Sequence, residues 1–185
     1  MYGLPPGTDM TEQLSADDWI KEGLKALAKS GFTALKADPL AKSMGVSRGS
    51  FYWHFADLGA FQATVLKRWR EIAAEQIIAD VEAAGDDPLK ALLRRSFGAR
   101  LELERAVRNW AAFDAAAQGA VRAIDRRRLD YIEGLLEKRG LTPATAQARA
   151  QILYWTFLGF ALSGAPVPAA RLQSLLDEVL TMVSA

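Results

Sequence analysis

The residues best suited to chemistry lie in one stretch of the 185-residue chain, LKADPLAKSMGVSRGSFYWHF, which runs from Leu35 to Phe55. This stretch contains the single histidine of the sequence, His54, six residues after Arg48. A histidine that acts as a catalytic base needs an orienting partner and a nucleophile, and neither is evident nearby. The sequence shows no metal-ligand spacing and no glycine loop that could cradle a phosphate. We therefore expect no catalytic residue, no metal and no cofactor, and interpret the stretch as a binding surface.

The stretch predicts two short helices joined by a tight turn. We predict that the first helix spans residues 38–44, with Asp38 as its cap and Pro39 at its first position, and an earlier start is the alternative. Gly45 supplies the residue that tolerates a positive φ angle in the turn, and Ala41 is small enough for the helices to cross closely.

The second helix begins after Ser47, which is a good N-cap, and ends near Phe55. Phe51 and Phe55 are spaced to hold it against a core. Gly49 keeps the start of the helix slim enough to approach a groove, and its N-terminus is suited to a phosphate. Arg48 could pair with guanine edges or phosphates.

The remaining side chains of this helix would lie outward or on its flanks. Ser50 could hydrogen-bond bases or phosphates, and Tyr52, Trp53 and His54 could offer phosphate contacts and apolar surface for thymine methyl groups. Plainer interpretations stay open: a solvated charge for Arg48, ordinary packing for Trp53 and a structural role for His54.

The rest of the chain has helical periodicity, as in Ile20, Leu24 and Leu27, which precede the helix-ending Gly31. Asp57 is placed to cap a long helix, and further helices are expected at about 88–101, 104–116, 119–139, 143–163 and 168–183, with Asp87 and Thr142 as caps of the first and fourth of these. No strand pattern or repeat is evident. The predicted fold is all-α, with about nine helices.

Composition predicts a folded, soluble, cytoplasmic protein. Half of the residues are hydrophobic, and cysteine is absent. Because 23 basic residues are balanced by 22 acidic ones, a DNA-binding surface would need its positive charge concentrated locally. The uncharged stretch between Arg149 and Arg171 is nearly long enough to span a bilayer, but Gly164, Pro166 and Pro168 interrupt it. We expect a buried or dimer-forming helix there.

Residues 45–55, GVSRGSFYWHF, resemble the signature of the TetR/AcrR family of bacterial regulators. The preceding Ile20…Gly23…Leu27…Gly31-Phe32 and Leu40-Ala41…Gly45 are similar to the first two helices of that family. The resemblance is close over about Trp19 to Phe61, and beyond it only the number and order of helices agree.

The resemblance implies a homodimeric transcriptional regulator, by habit a repressor, that places its third helix in successive major grooves of a near-palindromic operator. Pro5, Pro6 and Gly7 predict a disordered leader at 1–14, whereas the resemblance implies a helix-turn-helix domain at 15–56 and an effector-binding and dimerisation domain at 57–185. A small molecule bound there would tilt the fourth helix and release the DNA. The implied DNA contacts are Ser47, Arg48, Gly49, Ser50, Tyr52, Trp53 and His54, with Thr33 and Lys36 as backbone contacts.

Two further sets of residues are expectations for the C-terminal domain, and for both a plain monomer core is the alternative. Candidates for the effector pocket, which would suit an apolar or aromatic compound, are Phe97, Trp110, Phe113, Tyr131, Tyr154, Trp155 and Phe157. Candidates for the dimer interface are Leu158, Leu162, Leu172, Leu175, Leu176, Val179, Leu180 and Val183. Arg126, Arg127 and Arg128, flanked by acidic residues, are expected on a solvated face.

The sequence departs from the family pattern in ways that weaken phosphate anchoring. Leu58 occupies the position where the family has a phosphate-binding lysine, and no basic arm precedes the first helix. Affinity for DNA is therefore expected to be modest at physiological salt. These departures leave an alternative function, a helical protein-interaction module whose helix-turn-helix does not bind DNA.

Overall fold

In the computed structural model, residues 14–85, 87–98, 101–164 and 166–184 are described, and they form nine α-helices with no strand among them. The first part comprises α1 (Ala16–Ser30), a 3-10 turn (Phe32–Ala34), α2 (Ala37–Met44) and α3 (Arg48–His54). The long α4 consists of Leu58–Arg70, a π-helical turn Glu71–Glu75 and Gln76–Ala83. The rest comprises α5 (Pro88–Gly98), α6 (Glu102–Ala111), α7 (Ala115–Lys138), α8 (Pro143–Ser163) and α9 (Ala169–Ser184). The predicted all-α class is confirmed, and residues 1–13 of the predicted leader lie outside the described residues.

Side-chain caps explain where most helices begin. Asp57, Asp87 and Thr142 accept backbone N–H bonds at the starts of α4, α5 and α8, as their sequence positions predicted. Asp114 was missed: it accepts the N–H of Ala117 at 2.8 Å and starts α7 at Ala115, before the expected residue 119. Because Asp114 begins a new helix, α6 ends at Ala111 and does not continue to residue 116.

Helix α2 starts earlier than the preferred prediction. Its N-cap is Lys36 and not Asp38, and the first intrahelical bond runs from the N–H of Leu40 to the carbonyl of Lys36 at 3.2 Å. Pro39 costs no hydrogen bond there, since N–H groups of the first turn have no intrahelical acceptor. The earlier start buries Ala37 and leaves the Asp38 carboxylate at the surface.

Two hydrophobic clusters divide the described residues, and α4 contributes to both. The first cluster combines α1–α3 with the N-terminal part of α4, with α6 and with the start of α7, through residues such as Trp19, Phe61 and Trp110. The second cluster combines the end of α4 with α5, the end of α7, α8 and α9. A movement of α4 would therefore be felt in the packing of the helix-turn-helix.

Helix α8 contains most of the uncharged stretch. Leu153, Tyr154 and Phe157 on one face are buried in the second cluster, whereas Ile152 and Trp155 on the other face are exposed. In the part of the chain that the structure describes, no helix is both long and apolar enough to cross a membrane.

Candidate nucleic-acid interface and ligand cavity

The turn between α2 and α3 is held by backbone geometry. Gly45 adopts the left-handed conformation, with φ 70°, and the N–H of Val46 donates to the carbonyl of Ala41 at 3.0 Å. Ala41 is almost fully buried where the two helices approach. The turn therefore sets the angle at which α3 leaves the domain.

The inner face of α3 is held by aromatic packing. Phe51 is fully buried, and its ring lies edge-on to Trp19 at 5.3 Å and to Phe61 at 5.2 Å between centroids. Phe55 packs on the same group and contacts Phe61 at 5.0 Å. Because α1 and α4 both contribute rings, the orientation of α3 depends on both of these helices.

The outer face of α3 presents large side chains to solvent. Trp53 is 85% exposed and Tyr52 is 46% exposed. Gly49 has open space around it, with the nearest atom to a hypothetical Cβ being the Ser47 hydroxyl at 3.6 Å. Ser47 is at the predicted N-cap position, but its hydroxyl makes no capping bond and stays free for another partner.

Arg48 is held above the surface by two neighbours. Its Nη2 donates to the Tyr52 hydroxyl at 3.2 Å, and its Nε lies 3.5 Å from an oxygen of Asp38. The bond to Tyr52 and the charge of Asp38 raise the pKa of Arg48 above its ordinary value. The guanidinium is thus pre-positioned, but a carboxylate competes for it.

The other predicted contact residues are exposed or half-buried. Thr33 and Lys36 are exposed near the start of α2, and Ser50 and His54 are half-buried on the flanks of α3. Leu58 packs against the first hydrophobic cluster, as an apolar side chain would. Asp38 is the residue of this surface that the sequence interpretation missed, since it was assigned to helix capping.

A cavity of about 130 Å³ lies between the two hydrophobic clusters, lined by α4, α5, α6, α7 and α8. Of the residues expected in an effector pocket, Phe97, Tyr131, Tyr154 and Phe157 line it. Trp110 does not, because it is buried in the first cluster and stacks on Phe32 at 4.7 Å.

Two other expected pocket residues also lie elsewhere, because each points away from the protein interior. Phe113 is 68% exposed and contacts Phe32, and Trp155 is 63% exposed on the outer face of α8. Helical periodicity places an aromatic residue on a face, but it does not say what that face meets.

A buried group of charged residues forms the polar end of the cavity. Glu104 is 5% exposed and bonds Arg128 at 2.9 Å and Arg108 at 2.7 Å. Arg108 also bonds Asp125 at 2.6 Å. The expectation of a solvated face is therefore wrong for Arg128, since α4 and α6 cover this side of α7. The sequence signal that could have found it is the position of Glu104, three residues before Val107 and six before Trp110, which places an acidic side chain on the apolar face of α6.

The predicted interface residues divide between the core and the surface. Leu176 and Val183 are buried in the second cluster, and Leu158, Leu172, Val179 and Leu180 pack against it within one subunit. Leu162 and Leu175 are about half exposed. Two further exposed apolar side chains, Ile152 and Met182, were missed for this surface, and Trp155, which was expected in the pocket, is exposed there as well. We call Ile152, Trp155, Leu162, Leu175 and Met182 the outer apolar face.

The fold and the exposed α3 define a helix-turn-helix protein. Residues 20–57 match the model for bacterial regulatory proteins of the tetR family. The N-terminal part of the chain is therefore similar to that of the tetR family of regulators.

Individual proteins of similar sequence or fold agree with this similarity. The chain is 28% identical over 83 residues to the uncharacterized HTH-type transcriptional regulator YerO of Bacillus subtilis (strain 168), which covers 45% of this chain and 29% of YerO. Its fold is similar to that of a transcriptional regulator from Rhodococcus sp. Rha1, with a TM-score of 0.78, 24% identity and coverage of 92% of this chain and 96% of that one. It is also similar to the multidrug binding protein EbrR complexed with imidazole, with a TM-score of 0.60, 20% identity and coverage of 89% and 93%.

Proposed function

We propose that this protein is a DNA-binding repressor that reads a near-palindromic operator as a homodimer and is released by a small molecule. The observation that carries the proposal is the outer face of α3, where Arg48, Tyr52 and Trp53 project from a helix whose inner face is held by buried rings. DNA reading requires this arrangement, because side chains reach base edges only if the helix itself can enter the major groove.

Each exposed side chain has a distinct task in such a complex. Arg48 would exchange Asp38 for a guanine edge or a phosphate, and Gly49 would let the backbone approach the groove. Trp53 offers an apolar surface for thymine methyl groups. Thr33 and Lys36 would bond backbone phosphates, which set register and not sequence.

The outer apolar face is proposed to bind a second copy of the chain. Ile152, Trp155 and Leu162 follow one side of α8, and Leu175 and Met182 follow α9. Exposed apolar side chains that continue over two adjacent helices are typical of protein interfaces. A two-fold axis through such a face would give the symmetric pair of α3 helices that a near-palindrome requires.

The cavity is proposed as the effector site, and α4 as the route from the site to DNA. Trp69, Ile72 and Ile77 of α4 line the cavity, while Phe61 of the same helix packs under α3. Arg128 also bonds the carbonyl of Ala73 within the π-helical turn at 3.1 Å. A ligand that displaces this part of α4 would therefore shift the ring packing that orients α3. EbrR, a protein of similar fold, is described as a multidrug binding protein, which supports a small-molecule role.

Selection of bound sequences from random duplex DNA, followed by a salt titration, tests DNA reading. We expect a near-palindromic site and a log affinity that falls steeply with log salt concentration, by about 0.9 for each phosphate neutralised. Arg48→Ala should weaken binding by about 1–3 kcal/mol and relax selection at one base position of each half-site. Arg122→Ala, which removes an exposed arginine of α7, is the control and should change neither quantity.

A flat salt dependence without sequence selection would contradict DNA reading and favour a protein-interaction module. Unchanged selection by Arg48→Ala would contradict the base-contact role of Arg48 alone.

A further inference from the structure

The cavity that is proposed to hold the effector has an unusual polar end, and its hydrogen bonds indicate the charge of the molecule that fits. Among the lining residues that the structure describes, Glu104 and Arg128 are the charged ones, and most of the others are aliphatic or aromatic. The Tyr131 hydroxyl, which is buried without a hydrogen-bond partner, could bond a ligand but carries no charge. The charge selectivity of the cavity therefore depends on whether Glu104 and Arg128 have anything left to offer a ligand.

Arg128 has no N–H group to spare. Its Nε and Nη2 both donate to the carbonyl of Ala73, at 3.2 and 3.1 Å. Its Nη1 and Nη2 donate to the two oxygens of Glu104, each at 2.9 Å, and Nη1 also lies 3.5 Å from the Tyr154 hydroxyl. These contacts account for the full set of donors that a guanidinium carries.

The partners of Arg128 are likewise paired with other residues of this group. Glu104 accepts from Arg108 and Arg128, and Arg108 is bound further to Asp125. The Tyr154 hydroxyl accepts from Arg108 at 2.9 Å and donates to Asp125 at 2.6 Å. The two arginines and two carboxylates balance to zero net charge.

Glu104 and Tyr154 keep their protonation states near neutral pH. Burial works to raise the pKa of Glu104, but the charges and hydrogen bonds of Arg128 and Arg108 outweigh it, so that this pKa lies below its ordinary value. Burial raises the pKa of Tyr154 to about 12, so that its hydroxyl stays protonated and keeps its bond to Asp125.

We propose that the cavity binds an uncharged, mainly apolar molecule and rejects carboxylates and ammonium ions. This inference rests on the proposed effector role of the cavity. A charged group entering it would lose its hydration and find both charged lining residues already neutralised, and an unpaired buried charge is strongly unfavourable. The volume of about 130 Å³ is close to that of a cavity of about 150 Å³ that binds benzene, so a single aromatic ring is a suitable probe.

The test compares three single-ring probes of similar size at pH 7: toluene, benzoate and benzylammonium. Their binding to the full chain is measured by calorimetry, with the fluorescence of the cavity-lining Trp69 as a second readout. We expect toluene to bind, and the two ions to bind at least about a hundredfold more weakly. Benzoate or benzylammonium binding as tightly as toluene, or no binding of toluene, would overturn the inference.

A substitution of Glu104 should weaken the rejection of benzoate. Glu104→Gln removes one negative charge at nearly constant volume and leaves the arginine pair in excess, so benzoate should bind at least about tenfold more tightly than to the wild type, with toluene changed less than about twofold. Glu75→Gln is the matched control, because Glu75 is an exposed carboxylate of the π-helical turn paired with Arg127. It should change neither ligand. If Glu104→Gln does not fold, the three-probe comparison on the wild type still decides.

A gel-shift assay with operator DNA separates this inference from the proposed function. Toluene that binds the cavity without releasing DNA contradicts ligand-controlled repression and leaves the charge selectivity standing.

Discussion

Replacing Gly23 with alanine should loosen the contact between α1 and α4 on which the orientation of α3 depends. A Cβ at position 23 would lie 2.6 Å from Cζ of Phe61 and 3.2 Å from a methyl group of Val65. Carbon atoms in cores prefer separations of about 3.5–4.0 Å, so the ring would have to retreat by about 1 Å. Phe61 is fully buried among Phe51 and Phe55, which leaves it no free direction.

The expected cost follows from two opposing effects. Overpacking a core by one methyl group costs about 1–3 kcal/mol, and alanine in place of glycine inside a helix returns about 0.5–1 kcal/mol. We therefore expect Gly23→Ala to lower the free energy of unfolding by about 1 kcal/mol, and by no more than about 2.5 kcal/mol.

Urea unfolding at a fixed protein concentration measures this change, since an oligomer's stability depends on concentration. Gly134→Ala is the control: it lies inside α7 with no atom within 4 Å of the place its methyl group would take, and it should raise stability by about 0.5–1 kcal/mol. If both variants gain stability equally, the tight contact between Gly23 and Phe61 is refuted.

Three further predictions concern the interface, the dimer and the buried charges. Asp38→Asn removes the carboxylate that competes with DNA for Arg48. The affinity for non-operator DNA, measured by fluorescence titration at low salt, should therefore rise about two- to tenfold. An unchanged affinity would contradict that competition. Trp155→Arg should give a monomer in analytical ultracentrifugation, whereas Trp53→Arg, at a still more exposed tryptophan on α3, should stay dimeric. Equal behaviour of the two variants would refute the outer apolar face as the interface. Because the pKa of Glu104 is lowered on folding, its contribution to stability is present above its ordinary value of 4.5 and is lost as the pH falls through the folded value. The free energy of unfolding in urea should therefore fall less steeply between pH 7 and pH 3 for Glu104→Gln than for the wild type, and identical slopes would contradict the assignment.

Local features of this protein could be predicted because the deciding interactions are close in sequence. Gly45 ends α2 through its own backbone angles, and Asp57 and Thr142 cap helices whose first N–H groups lie three residues away. The alternation of Phe51 and Phe55 with outward residues likewise needs only the helical repeat. For the same reason the outer face of α3 could be assigned before the fold was known.

The sites of the C-terminal domain could not be predicted to the same degree. Leu176 and Leu175 are neighbours in an apolar stripe, yet the first is buried in its own subunit and the second is about half exposed. Trp110 and Phe97 are both aromatic residues at helical spacing, but the first fills a core and the second lines the cavity. When the apolar stripe of a helix is wider than one contact surface, the packing of the other helices decides which of its residues are buried in the core and which stay exposed.

The sequence by itself determined most of the helices, several of their caps, the helix-turn-helix and the residues that α3 presents, because each follows from interactions within a few turns of chain. Only the tertiary structure decided that Arg128 is a buried, fully bonded residue of the cavity, since its partners Ala73 and Glu104 lie 55 and 24 residues away. Such a pairing changes an arginine from a solvated charge into a neutralised one, and the residues next to Arg128 in the sequence do not indicate it.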